Sequence, residues 1–315
     1  MIVRFGLSQL AATLAEVGIE RPLVIATDRW RTLDVPHVGW WDEVPAVRVD
    51  VPAGSDGLLA IGGGSAIDTG KHTSAETGLP VVHVPTTYSG AEWTTFYGVR
   101  SPDRVMRGGG VGANPVAIVY DVDLTLDLPR SESAGTAMNA LAHCAEALYV
   151  AGRSRDGDVQ ALMGAPLIAD ALPRVLRDLS DRNARERLLR GAMHAGHALG
   201  LAGLGLAHAM AQALGGSYGL PHGAMNALCL PPALEYNAQW VPEAVAAFGD
   251  AIGGDAVALS RELAQLGGFE RLRDFGIPHV DLPALAAATA ARGGNQANPH
   301  PASPDEILGL FRAIW

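Results

Sequence analysis

From Met1 to about Pro129, short apolar runs recur between turn-forming residues. Ile2–Phe5, Pro22–Thr27, Ala46–Val51, Gly57–Ile61, Pro80–Val84 and Pro115–Tyr120 have the length and Val/Ile content of strands. Gln9–Val17 and Ser65–Thr77 instead space their apolar residues by three and four, as helices do. This alternation predicts an α/β layer with a largely parallel sheet, whose ligands sit beyond the carboxyl ends of the strands. After Pro129 the texture changes, and nearly everything to Trp315 is rich in Ala and Leu at helical spacing. Helices are predicted over Ser133–Val150, Asp158–Leu179, Ala184–Leu201, Gly223–Tyr236, Pro242–Ile252, Asp255–Leu266, Pro283–Arg292 and Pro304–Ile314. The reading is an α/β N-terminal domain over residues 1–129 and an all-α C-terminal domain over residues 130–315, with the boundary near Leu128–Ser131. The cleft between them is the default site.

Composition narrows the partners. The 315-residue length suits two domains, and although 48% of the chain is hydrophobic, no run of about 18 uncharged apolar residues appears. The start MIVRFGLSQL lacks the charged and apolar regions of a signal peptide, so a soluble, cytoplasmic protein is expected. Cys144 and Cys229 sit in apolar surroundings without paired spacing, which reads as reduced core thiols. A net charge of −10 without a basic cluster argues against nucleic acid and anionic membranes and leaves small molecules as partners. Lys71 is the only lysine, so the many arginines reflect coding bias and are not read as ligands one by one.

The segment LLAIGGGSAIDTGK, Leu58 to Lys71, is a strand, three glycines and a helix, with Ser65 and Asp68 in S-x-x-D capping-box spacing. Glycines let a backbone approach a phosphate, and the helix start offers free N–H groups and a positive dipole end. It is neither G-x-G-x-x-G, since Ile67 stands where the third glycine belongs, nor a Walker A loop. On glycines alone, a pyrophosphate cradle and a plain tight turn are equally good readings. HVPTTYSGAEWT, His83 to Thr94, tips the balance: it leaves a strand into a loop of hydroxyls, Thr86, Thr87 and Ser89, suited to lining a dinucleotide. Asp28, just past an early strand, is placed to bind ribose hydroxyls and repel a 2′-phosphate, favouring NAD, while Arg29 and Arg31 pull the other way.

Candidate chemistry lies in the second half. Asn139 and His143 are one helical turn apart in MNALAHCAEALY, and GLAHAMAQALGGSYGLPHG adds His208 on a helix and His222 entering another. Each alone reads as an ordinary buried or capping histidine. Imidazoles on separate helices can also converge on one point, as metal and catalytic sites require.

The segments GGGSAIDTGK, PTTYSGAEWT, IVYDVDLTLDLP, AMNALAHCAEALY, LGGSYGLPHG and NPHPAS resemble, in order, the iron-containing (group III) alcohol dehydrogenases, and within them the maleylacetate reductases. The resemblance implies a dehydroquinate synthase-like fold, with a dinucleotide-binding α/β domain, a helical domain, and hydride transfer from the nicotinamide of NAD(H) or NADP(H) in the cleft. In metal-dependent members an aspartate stands at the position of Asn139 and joins the equivalents of His143, His208 and His222 around the ion. Maleylacetate reductases carry asparagine there and are regarded as not needing the metal. An amide oxygen offsets a divalent charge less than a carboxylate, so Zn or Fe bound by Asn139, His143, His208 and His222 is weakened and not required. The resemblance makes these four residues the catalytic set, and Asp28, Gly62, Gly63, Gly64, Ser65, Asp68, Thr86, Thr87 and Ser89 the cofactor set.

Three departures matter. Asp28–Pro45 is short for a helical crossover, which puts the adenosine pocket in question. Gln212 stands where the family places a further histidine, so proton delivery falls to His143, His208, His222 or the Tyr88 hydroxyl. His300 replaces the arginine of NPRP. The leading expectation is a maleylacetate reductase-type enzyme acting on a small oxo-acid, with Arg107 or Arg153 supplying a cation for a dicarboxylate, working as a homodimer. The rivals are a metal-assisted alcohol dehydrogenase, and a non-redox enzyme or ligand-binding protein that has lost its cofactor.

Overall fold

The structure, a computed structural model, describes residues 1–103 and 105–315. The described strands are β1 (Ile2–Phe5), β2 (Pro22–Ile25), β3 (Gly39–Trp41), β4 (Gly57–Gly62), β5 (Val81–Pro85), β6 (Tyr97–Arg100), β7 (Met106–Gly110) and β8 (Pro115–Tyr120). Two helices lie among them, α1 (Leu10–Glu16) and α2 (Gly64–Thr77). The chain then runs through α3 (Arg130–Ala147), α4 (Arg155–Arg177), α5 (Arg182–Ala202), α6 (Leu206–Tyr218) and α7 (His222–Asn237). It ends in α8 (Pro242–Ile252), α9 (Ala256–Leu266), α10 (Leu282–Ala290), α11 (Gly293–Gln296) and α12 (Pro304–Ala313). Two compact units result: Met1–Thr87 with Ala91–Asp127, and Tyr88–Gly90 with Leu128–Trp315.

In the first unit six strands pair in the order β1-β8-β5-β4-β2-β3, every pair parallel. The central strands PLVI, GLLAIG and VVHVP are buried throughout, which explains why they read as unbroken apolar runs. Alternate residues serve opposite faces. Val24, Leu59, Ile61, Val82 and Val84 pack with Leu10 and Leu14 of α1, while Leu23, Ile25, Leu58, Ala60 and Val81 pack with Ile67 of α2. The β2–β3 crossover is made without an α-helix, by a loop with one 3-10 turn at Asp28–Trp30, and Trp40 Nε1 fastens it by donating to Ala26 O at 2.8 Å.

Two sequence expectations change. Ala46–Val51 is not a strand: Gly39–Trp41, which the sequence reading did not mark as a strand, takes the place beside β2 opposite β4. Ala46–Val51 lies as irregular chain against α2, with Ala46 N–H donating to Thr69 Oγ1 and Ala46 and Val49 filling the core. The antiparallel pair β6–β7 was not foreseen, since MRGGG lacks the β-branched and aromatic residues that mark strands.

In the second unit α3 is buried on every side from Ala137 to Ala147, as a helix apolar all round must be. It crosses α7 at Gly135 and Gly223, where a Cβ on either glycine would run into the other helix's backbone. That close approach brings Asn139 of α3 to Asn226 of α7, which in turn meets His222 one turn before it. Among the described helices, α4 alone has by itself the length and apolarity to cross a membrane. Its stripe of Ala161, Ala165, Ile168, Leu172 and Val175 is buried in this unit, where α4 packs on α5 and α3.

Candidate active site

At the carboxyl end of β4 the backbone turns through Gly62 and Gly63 into α2. Gly62 has φ 150°, and a Cβ there would stand 2.7 Å from Ala66 Cβ, so only glycine lets the helix start this close to the strand. A Cβ on Gly63 would meet Thr87 Cγ2 at 2.8 Å. The helix begins at Gly64 with Gly63 as its N-cap and no side chain capping it. The capping box expected from Ser65 and Asp68 is therefore absent: the helix starts earlier, Ser65 lies inside its first turn, and Asp68 turns elsewhere. Its carboxylate pairs with Lys71 Nζ at 2.9 Å and accepts from Gly98 N–H at 3.2 Å. The open first turn leaves N–H donors and the positive dipole end for an anion.

Beside this turn, Thr86 N–H donates to Gly62 O at 3.0 Å, and Thr87 Oγ1 is buried with no partner among the described residues. A glycine cradle next to an orphaned hydroxyl is what a dinucleotide's pyrophosphate would complete, and in this respect the residues fit the cofactor. Asp28 follows β2, the neighbour of β4, at the same edge. It is exposed and pairs with Arg31 at 2.5 Å, and Arg31 also reaches Asp42 at 2.9 Å. Arg29 lies over the Trp30 ring, 4.4 Å from its centroid.

The second unit brings together all four residues of the catalytic set. The His143 and His208 rings stack at 4.6 Å, and His222 lies 5.8 Å from His208. Asn139 and His143 come from α3, His208 from the first turn of α6, and His222 from the start of α7. Asn139 Nδ2 donates to Ser89 O at 2.9 Å, which fixes its amide and turns Oδ1 toward His208 Nε2 at 3.3 Å and Asn226 Nδ2 at 2.7 Å. Ser89, expected to line the nucleotide, thus holds Asn139 through its carbonyl, while its hydroxyl is buried without a partner among the described residues.

Two residues that sequence reading passed over complete the site. Glu146, fully buried, accepts from Gly205 N–H at 2.8 Å, from the main-chain N–H of His208 at 3.2 Å, and from His208 Nδ1 at 2.6 Å. Three donors converge on this carboxylate, and the contact from the ring directs the His208 Nδ1–H at it. Asn226 Nδ2 lies 3.0 Å from His222 Nε2. The signal for both was available: Asn139, His143 and Glu146 follow i, i+4, i+7 on one helical face, and Asn226 is four after His222. A carboxylate inside an otherwise apolar run needs a partner.

Burial, with the His208 and His222 rings adding to it, holds His143 well below the usual imidazole range and keeps it neutral. Its Nδ1 is buried without a partner among the described residues. As an ion site the cluster fits poorly. Its inward atoms carry no formal charge, and the Asn226 amide already stands against both the oxygen of Asn139 and the ring nitrogen of His222.

Other candidates lie elsewhere. The Tyr88 hydroxyl is fully buried and accepts from Arg185 Nη1 at 3.1 Å, so it is a structural contact of the buried Arg185 and not an exposed proton source. Arg153 is committed to Asp158 through a two-pronged pair, and Arg107 contacts Asp103 and Ser101; neither stands ready as a free cation. Gln212 lies one turn beyond His208 on α6. His300 stacks on Trp240 at 3.7 Å and bonds the Tyr236 hydroxyl at 2.8 Å. Its place is with that aromatic pair.

Comparison with known proteins gives a consistent picture. Residues 133–315 match the C-terminal model of the Fe-containing alcohol dehydrogenase family, and residues 46–122 match the iron-containing alcohol dehydrogenase model. The maleylacetate reductase of Pseudomonas knackmussii is 32% identical over 98% of this chain and 93% of its own. That of Sphingobium indicum is 35% identical over 97% and 92%. The crystal structure of maleylacetate reductase from Rhizobium sp. strain MTP-10005 superposes with a TM-score of 0.88 at 29% identity, over 100% of this chain and 95% of that one.

Proposed function

The chain belongs to the iron-containing alcohol dehydrogenase family and is an NAD(P)H-dependent oxidoreductase, and on that footing we propose that it reduces an electron-poor C=C or C=O of a small oxo-acid such as maleylacetate. The observation that carries this reading is the histidine cluster of the second unit, built around an amide at position 139 and tied to a buried carboxylate.

Gly62, Gly63, Gly64 and Ser65 hold the pyrophosphate by main-chain N–H groups, with Thr86 and Thr87 beside it. Asp28 takes the ribose hydroxyls, and Asp68 fastens Lys71 and the β6–β7 pair behind the loop. When bound, the nicotinamide supplies the hydride. His208 donates from Nδ1 to Glu146 and faces the site through Nε2; in the imidazolium form, paired with that carboxylate, Nε2–H is the proton that would pass to an oxygen gaining charge, leaving the ring neutral with its proton on Nδ1. His143, kept neutral by burial, and His222 wall the same pocket, and Asn139 orients the substrate. An ion entering the cluster would have to displace the Asn226 amide, so we place no metal in the reaction. The enzyme acts in the cytoplasm, where its two free, buried cysteines stay reduced, and as a homodimer.

Following NAD(P)H absorbance with maleylacetate, alongside calorimetric titration of NADH and NADPH, tests the reading. Turnover that survives chelator supports it. Absence of binding by either dinucleotide would retire it in favour of non-redox chemistry, and chelator-killed turnover would favour the metal-assisted alcohol dehydrogenase.

A further inference from the structure

We propose that Asn226 is a positioning residue whose amide N–H₂ fills the point on which Asn139 Oδ1 and His222 Nε2 converge, assembling the cluster by hydrogen bonds in place of an ion. The inference rests on the reductase reading given above. Asn226 is fully buried, and its Nδ2 lies 2.7 Å from Asn139 Oδ1, 3.0 Å from His222 Nε2 and 3.3 Å from the main-chain oxygen of His222. Its own Oδ1 is buried and bonded to nothing among the described residues. Among the described residues, all the bonding of this side chain is through its nitrogen.

The orientation follows from the neighbours. Asn139 is pinned by Nδ2 donating to Ser89 O, so Oδ1 must face inward as an acceptor. Turning the Asn226 amide would set its oxygen 2.7 Å from that oxygen, two acceptors without a proton between them. With nitrogen inward, two N–H bonds present positive partial charge to an oxygen and an imidazole nitrogen that would otherwise call for a cation. The two asparagines are therefore matched. A carboxylate at 139 would bring a full negative charge that an amide donor cannot neutralise. One consequence concerns the His222 tautomer: with Nε2 accepting from Asn226, the proton of a neutral His222 sits on Nδ1.

Nitrogen NMR of ¹⁵N-histidine-labelled protein at one pH reads this directly. We expect His222 of the unmutated protein as the Nδ1–H tautomer, and the isosteric Asn226→Asp to lose that signature and to bind Zn²⁺ roughly tenfold or more tightly, by metal analysis and calorimetry with Zn²⁺ alone. Asn226→Ser, which keeps one donor, should retain the tautomer if the fold is intact. The proposal falls if unmutated protein shows His222 as Nε2–H, or if Asn226→Asp leaves both tautomer and Zn²⁺ affinity unchanged. These readouts are independent of turnover. A protein inactive with oxo-acids but showing the Asn226-dependent tautomer loses only the reductase reading, and an active one without it loses only this inference.

Discussion

Glu146 sets the chemistry of the cluster more than any of the imidazoles does, because among the described residues it is the carboxylate that bonds one of those rings, and it is wholly buried. Removing a buried carboxylate's charge while leaving its ring partner leaves an imidazole whose proton is no longer held in place. Glu146→Gln keeps the size and the bonds from the two main-chain N–H groups, so we expect a folded protein whose kcat falls roughly 10–100-fold with KM little changed. Steady-state kinetics with a thermal-melt control checks this, and an unaffected kcat would remove His208 from the proton-delivering role. Glu146→Ala should go further and cost about 3–5 kcal/mol in chemical unfolding, since one partner of a buried pair is deleted outright.

At the scale of elements, the β4–α2 turn makes the clearest demand on the sequence. Gly62→Ala places a Cβ 2.7 Å from Ala66 at a φ that side chains rarely adopt, and should destabilise by about 1–3 kcal/mol in urea unfolding. Gly63→Ala presses only on the Thr87 methyl and should fold, but with a weakened dinucleotide affinity measured by calorimetry. Equal affinity would count against this turn as the pyrophosphate cradle. The elements themselves were largely legible: doubly buried strands are long apolar runs, and helices built from Ala and Leu keep their spacing even where every face is buried. The misses have physical causes. Ala46–Val51 alternates like a strand but Gly39–Trp41 takes the place beside β2, and β7 pairs through a glycine run that carries no strand signal. The four residues of the histidine cluster could be read from position and family pattern. Glu146 and Asn226 were hidden because their roles depend on where α6 and α7 come to rest against α3.

For the molecule as a whole, buried neutral histidines predict the acid limb of stability. Burial, with Lys71 nearby, pushes His83 down to about 3, and His143 shifts the same way. The unfolded chain therefore takes up these protons near pH 6.5 while the folded chain refuses them. Stability is fully present above about pH 6.5 and is lost as pH falls toward 3, by at most about 1.4 kcal/mol per pH unit for each histidine. Burial pushes Glu92 upward, so its contribution has the opposite sign and is lost as pH rises above the ordinary carboxylate range. His83→Leu, at a position whose Nε2 has no partner among the described residues, should change stability at pH 7 by about 1 kcal/mol or less and flatten the limb between pH 6.5 and 3. Urea midpoints across pH decide it, and an unaltered limb would mean that His83 is not the titrating group. A different consequence follows from the tripeptide Tyr88–Gly90, which belongs with the helices although the chain on either side of it belongs with the sheet. Ser89 lends the carbonyl that pins Asn139, and Tyr88 the hydroxyl that meets Arg185. A gene truncated to start at codon 128 would encode every histidine of the pocket and still omit its keystone, so this half of the protein cannot be shuffled, transplanted or inherited as a freestanding cassette.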